Sequence, residues 1–344
     1  MKSKVLTVVI ILCRLSVFAQ QMTAEDYYVS AFNVMSDMLA GRDSLSIKKA
    51  VYFAEWAYYE GNLDYQKDYC NEIDRIVKFV DLFYAINKLN VYRTGKQMAL
   101  NEYFFRPYSG NGYKPYIYDF ENFSIDDKNW EAQFVSKVLK THYGQCRSLP
   151  WLYKILAKEI GADVSLARAP GHCYIVYKDL DNQTPEEWIN LELTTHQMHP
   201  TFWIKQSFEI SDSAVIKGTY MTPLTDIQTV ACQMADLAVG YREKFKRYDE
   251  FTLYCASCSL EYYPMNPNAW IVRGKSLERL LQEYLVKNGD VVDDYADFLK
   301  RMIDETYFYY CRTYVAEETD EMRKFRRKQI IDAQKYTQEK ILHK

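Results

Sequence analysis

Three residues in this 344-residue chain have the types and the order needed for thiol chemistry. Cys146 stands just before the apolar run SLPWLYKILAKEIGA. His172 follows the turn pair Pro170-Gly171 and opens HCYIVYK, and Glu192 lies in EEWINLELTT. A cysteine attacks a carbonyl only as the thiolate, so a nucleophilic role needs its pKa drawn down. The unsatisfied N–H groups of a helix N-terminus do this, and an imidazole within reach takes up the proton. A third group must accept from the other ring nitrogen and hold the imidazolium. Residues 188, 190, 192 and 194 share one face of a strand by alternation. Glu192 is the acid among them, with Asn190 the fallback. Taken alone, a cysteine before an apolar helix is usually a small buried hydrophobe. The order helix-mouth Cys, turn-strand His and strand acid is far rarer, and it selects the functional reading.

The surrounding pattern supplies the elements that must position these groups. Gly144 allows a tight approach, and Pro150 suits a first helical turn, where its missing N–H costs little. Helices are expected from Trp130 to His142 and from about Cys146 to Gly161. Three strands are expected in DVSLARA, HCYIVYK and EEWINLEL, separated by APG and DNQTP turns. A helix backed by antiparallel strands is an α+β layout. Upstream, residues 22–105 show helical spacing, with Val51, Ala54, Ala57 and Tyr58 on one stripe and Ile73, Ile76, Phe79 and Leu82 on another. The loop-rich stretch RPYSGNGYKPYIYDFENFSIDD follows, and its IYDFENF portion contributes an edge strand or lines a groove. Residues 106–215 form the expected catalytic region. Residues 216–344 are helical again, where Gly240 and Gly274 are 34 apart, the tetratricopeptide period, with Pro264 where that repeat closes. The basic tail helix reads as a solvated face.

MKSKVLTVVIILCRLSVFAQQ has basic residues, a short apolar run and a small-residue cleavage site at Val17-Phe18-Ala19. That is the layout of a signal peptide over residues 1–20, implying export to the periplasm or outside the cell. No later run is apolar enough to span a bilayer, so no transmembrane anchor is expected. The formal net charge is −3, with basic and acidic residues intermixed, which argues against nucleic acid as a partner. Removing Cys13 leaves seven cysteines, an odd number that flags a free thiol in an exported chain. The 31 tyrosines suit helix packing.

The run GQCRSLPWLYKILAKEIGADVSLARAPGHCYIVY, continued by EWINLELT, resembles the core of the transglutaminase-like superfamily. The resemblance rests on Gly144, Cys146, Gly161, His172, Trp188, Leu191, Glu192 and Thr194. It is similar in particular to the bacterial branch in which that domain precedes tetratricopeptide repeats. The resemblance implies a papain-like fold, with Cys146 as nucleophile, His172 as base and Glu192 where the family has Asp. It covers about 100 of the 344 residues. One oxyanion donor is the Cys146 N–H. The second falls to Gln133, Tyr143 or Gln145, with Asn190 also at the rim, and Arg147 is expected to point at that rim. No metal or other cofactor is expected: HQMH (His196 and His199) lacks completing ligands. CASC (Cys255 and Cys258) reads as a packing pair, and Cys173 alternates away from His172. The expectation is an exported cysteine enzyme acting on peptide or protein amides through an acyl-thioester, hydrolysis ahead of acyl transfer. The alternative is an inactive scaffold whose repeats bind a protein partner.

Overall fold

The computed structural model describes residues 22–121, 129–314 and 320–342; the expected signal peptide lies outside them. The N-terminal stripes become four helices: α1 (Ala24–Leu39), α2 (Ile47–Tyr58), α3 (Asn71–Ile86) and α4 (Gly95–Phe105). Thr23 and Ser46 cap the first two by accepting from Asp26 N and Lys49 N. Val51, Ala57, Ile73 and Ile76 are buried, but Leu82 at the end of its stripe is 58% exposed. Within IYDFENF, whose last two residues lie outside the described ones, β1 (Ile117–Tyr118) pairs in parallel with β2 (Tyr143–Gly144).

The helix expected from Trp130 is shorter. α5 spans Val135–Thr141, with a tight turn at Trp130–Gln133 and an extended Phe134 before it. The cause is Glu55 of α2, whose buried carboxylate accepts from Val135 N at 2.6 Å and Ser136 N at 3.0 Å, so the helix begins where the cap sits. Next comes α6 (Ser148–Ile160), which ends at Gly161 in the left-handed region, φ 68°.

The expected strands form as β3 (Ser165–Ala169), β4 (His172–Lys178) and β5 (Trp188–Glu192), joined by β6 (Gln197–His199) in one antiparallel sheet of order β3-β4-β5-β6. Residues 221–224 line the free edge of β3, Met221 N donating to Arg168 O and Leu224 N to Leu166 O. One sheet face carries Leu166, Ile175, Ile189 and Leu191 onto α6. The other carries Ala167, Tyr174 and Val176 onto Ile204 and Phe208 of α7 (Thr201–Ser207) and the turn after it, and onto Ala214 of α8 (Asp212–Lys217).

The remaining helices are α9 (Asp226–Phe245), α10 (Glu250–Tyr262), α11 (Pro267–Lys287), α12 (Asp294–Arg312) and α13 (Asp320–Leu342). α9 packs on α10, α10 on α11 and α11 on α12, so two helix pairs form. Their starts recur at 41 residues (226 to 267) and 44 (250 to 294), not 34. Gly240 is therefore the fifteenth residue of α9 but Gly274 the eighth of α11. Gly240 serves another contact, since a Cβ there would stand 3.1 Å from Trp130 Nε1.

The fold is mixed helix and sheet, 64% helical. One core runs through all three regions read from the sequence: Tyr28, Ile73, Leu152, Leu191, Met234 and Cys255 belong to a single buried cluster. Several tyrosines sit in that core, some with bonded hydroxyls. Tyr52 donates to Leu63 O (2.7 Å) and Tyr153 to Asn101 (2.8 Å). No helix among the described residues is long and apolar enough to cross a membrane.

Candidate active site

Cys146 sits in the turn that feeds α6. Leu149 N donates to Gln145 O, and Gln145 N donates to Ser148 Oγ at 2.9 Å, closing the backbone around it. Gly144 makes this approach possible, since a Cβ there would lie 2.8 Å from both Leu149 Cγ and Val138 Cγ2. Cys146 is partly exposed. Its thiol is aimed at the Gly171 carbonyl, 4.0 Å away, on the turn that opens β4. Gly171 takes φ 58°, which glycine reaches without strain.

His172, two residues beyond Pro170, is 6% exposed. Its Nε2 bonds Glu192 Oε2 at 2.5 Å, and Phe208 stacks on the ring with centroids 4.7 Å apart. The other oxygen of Glu192 accepts from Thr194 N (3.1 Å) and Thr194 Oγ1 (2.9 Å). The pairing Ile175↔Leu191, continued one step, sets Tyr174 across from Glu192, so His172 is reached on the diagonal. The longer arm of glutamate spans that offset. Nδ1, the remaining ring nitrogen, is buried and makes no hydrogen bond of ordinary geometry. The Cys146 thiol is close enough to act on the ring as a hydrogen-bonding and charge partner. Such bonds are commonly long before substrate tightens them.

The electrostatics favour a charged ring. Burial pulls the His172 pKa down, but the Glu192 carboxylate and then Cys146 outweigh it and raise it to about 9. Burial pushes Glu192 up, yet the imidazolium and the Thr194 bonds hold it below the usual carboxylate range.

The four candidate rim residues part company here. Tyr143 is 47% exposed on β2, and Asn190 donates to His199 O and Thr201 Oγ1, both 3.2 Å away. Neither is bonded to Cys146 or His172. The Gln145 amide donates to Asp119 O at 2.7 Å and so ties β1 to the helix mouth. Gln133 is buried, and its Oε1, like that of Gln145, has no hydrogen-bond partner.

Arg147 does not point at the rim. Its Nε bonds Asp236 (2.9 Å), Nη1 the Gln133 carbonyl (2.8 Å) and Nη2 Gln233 (2.9 Å), and its guanidinium lies between Trp130 and Trp151. The residue after the thiol is thus bolted to α9. Asp236, Gln233 and Glu55 escaped the sequence reading because each is remote in sequence and acts only through the assembled fold. Thr194, present in the motif, proves to be the anchor of the acid.

The imidazoles of HQMH are used in packing. His196 bonds Tyr116 O (2.5 Å) and stacks on Phe105, and His199 stacks on Trp203 at 3.6 Å. Cys255 is buried and Cys258 partly buried, both as free thiols. Cys173 faces away from His172, opposite Arg168. Together, thiol, imidazole and carboxylate can carry acyl transfer: attack at a carbonyl, proton shuttling by the ring, and orientation of the ring by an acid. Comparison with protein-family models, with curated proteins and with solved structures finds no match to this chain.

Proposed function

We propose that the chain is an exported cysteine enzyme of transglutaminase-like type, acting on peptide or protein amide bonds. Cys146 attacks the carbonyl as a thiolate, His172 holds its proton and returns it to the leaving amine, and Glu192 orients the ring. The acyl-thioester is then resolved by water in preference to an amine. The Cys146 N–H is one oxyanion donor, and the Gln133 side-chain NH2 is the candidate for the second. The observation that carries the reading is the buried His172–Glu192 pair, whose second ring nitrogen is left for the partly exposed thiol at the mouth of α6. The alternative of an inactive scaffold drew on the replacement of Asp by Glu. Since the glutamate bonds the ring at 2.5 Å, that replacement no longer favours lost activity. The helix pairs α9–α12 are read as a partner surface of tetratricopeptide-like kind beside a papain-like core.

The test is the pH dependence of Cys146 alkylation by iodoacetamide, in the wild type and in His172→Ala. A free thiol of pKa about 8.5 is only about 0.3% thiolate at pH 6. Fast labelling at pH 6 that collapses in the variant supports the enzyme. Labelling that rises only near the free-thiol pKa and ignores His172 retires it.

A further inference from the structure

Arg168 of β3 stands directly opposite Cys173 of β4. Paired residues share a sheet face, and theirs is the face that α6 covers, next to the turn where Cys146 meets Gly171. The Arg168 Nη1 donates to Asn266 Oδ1 at 2.9 Å and reaches Cys232 Sγ at 3.5 Å. Its Nε and Nη2, the edge that grips a carboxylate side-on, bond nothing among the described residues. The Tyr263 hydroxyl, an electrostatic neighbour of Arg168, is buried without a partner on a residue 2% exposed.

The charge count points the same way. Asp236 acts on Arg168 but already bonds Arg147 Nε at 2.9 Å, so two guanidiniums share this acid. Burial pushes both neighbouring thiols up, Cys232 to about 11, so neither supplies negative charge. The open Nε and Nη2 of this partly enclosed guanidinium are placed to exchange water for the oxygens of an anion. Solvent reaches the place, since Cys146, Arg147, Arg168 and Cys173 are all partly exposed.

We propose that Arg168, with the Tyr263 hydroxyl as its neighbour, is a carboxylate-binding subsite beside Cys146, taking an acidic side chain or the free α-carboxylate of a peptide. Its service to the Cys146 site rests on the reading of Cys146 as the nucleophile; the binding needs no catalysis.

Calorimetry on the full chain with three probes tests it: N-acetyl-Ala-Glu amide, N-acetyl-Ala-Gln with a free C-terminus, and N-acetyl-Ala-Gln amide. One or both carboxylate probes should bind, the neutral amide should not, and the better carboxylate identifies the source. The bound probe should also slow iodoacetamide alkylation of Cys146. Arg168→Gln should weaken binding about tenfold or more, the scale of a charged hydrogen bond. Arg168 also holds Asn266, so Tyr263→Phe is the second variant. It removes a hydroxyl that bonds nothing in the protein, and should weaken binding several-fold with the fold intact. Equal binding of all three probes, no binding, binding unchanged in Arg168→Gln, or binding without protection of Cys146 overturns the proposal. If alkylation ignores His172 while carboxylate probes still bind and protect, the catalytic reading falls and the subsite stands.

Discussion

Replacing Glu192 by glutamine changes one charge while nearly preserving shape, and its effect can be worked from the bonds around it. Thr194 donates to Glu192 Oε1 from both its N and its hydroxyl, so an amide oxygen will keep that position. The NH2 group must then face His172 Nε2, where a carboxylate oxygen now lies at 2.5 Å. Two donors cannot meet, so the ring is driven to carry its proton on Nδ1, toward Cys146, and loses its ability to accept the thiol proton. The loss of charge acts in the same direction. His172 stands at about 9 against 6.5 for a free imidazole, a rise shared between Glu192 and Cys146. Glu192 is the larger of the two charges that hold the ring up against burial, so its loss should lower the ring by about 1–2 pKa units. The His172 Cε1–H resonance should therefore titrate about 1–2 units lower in Glu192→Gln. Cys146 alkylation near pH 6 should drop about 10- to 100-fold. An unchanged His172 titration together with unchanged alkylation would refute the role given to Glu192.

Other expectations follow from the supports of the site. The His172 proton is held more tightly in the folded state than in the unfolded chain, so its stabilisation is full below about pH 6.5 and fades as pH rises through about 9. Glu192 is shifted the opposite way, and its share is lost as pH falls below the ordinary glutamate range. Thermal midpoints of wild type minus His172→Ala should thus peak in the mildly acidic range. Arg147→Ala removes the donors to Asp236, Gln233 and the Gln133 carbonyl and leaves Asp236 to Arg168 alone, and should cost about 1–3 kcal/mol in urea unfolding. Glu55→Ala leaves two helix N–H groups and the Tyr69 hydroxyl without their acceptor, at about 1–3 kcal/mol, read by the same assay. Gly144→Ala should cost about 1–3 kcal/mol from overpacking against Leu149 and Val138, and should slow Cys146 alkylation as the helix mouth shifts.

The parts of this fold legible in the sequence are those fixed by local pattern. The run from Leu149 to Gly161 carries its own helix period and stop. The strand at His172 starts after a Pro-Gly turn, and alternation through EEWINLEL put Glu192 on one face with Asn190, which is the face His172 also takes. What escaped was set by distant partners. α5 begins at Val135, not Trp130, because a carboxylate 80 residues upstream caps it there. Arg147 looked like a rim residue because its two acceptors on α9 lie 86 and 89 residues further on. The 34-residue spacing of two glycines held no structural period, because one of them is kept small by Trp130, outside the helix pairs.

The clamp on Arg147 also orders events in time. The turn holding Cys146 is local, but the bolt that secures it needs residue 236, and the cap on α5 needs residue 55. Contacts of such long reach close late, after loop entropy has been overcome by the core. A chain emerging from its N-terminus therefore displays the thiol well before α9 exists to brace it. The turn that holds Cys146 is braced only when more than two-thirds of the polypeptide has been made.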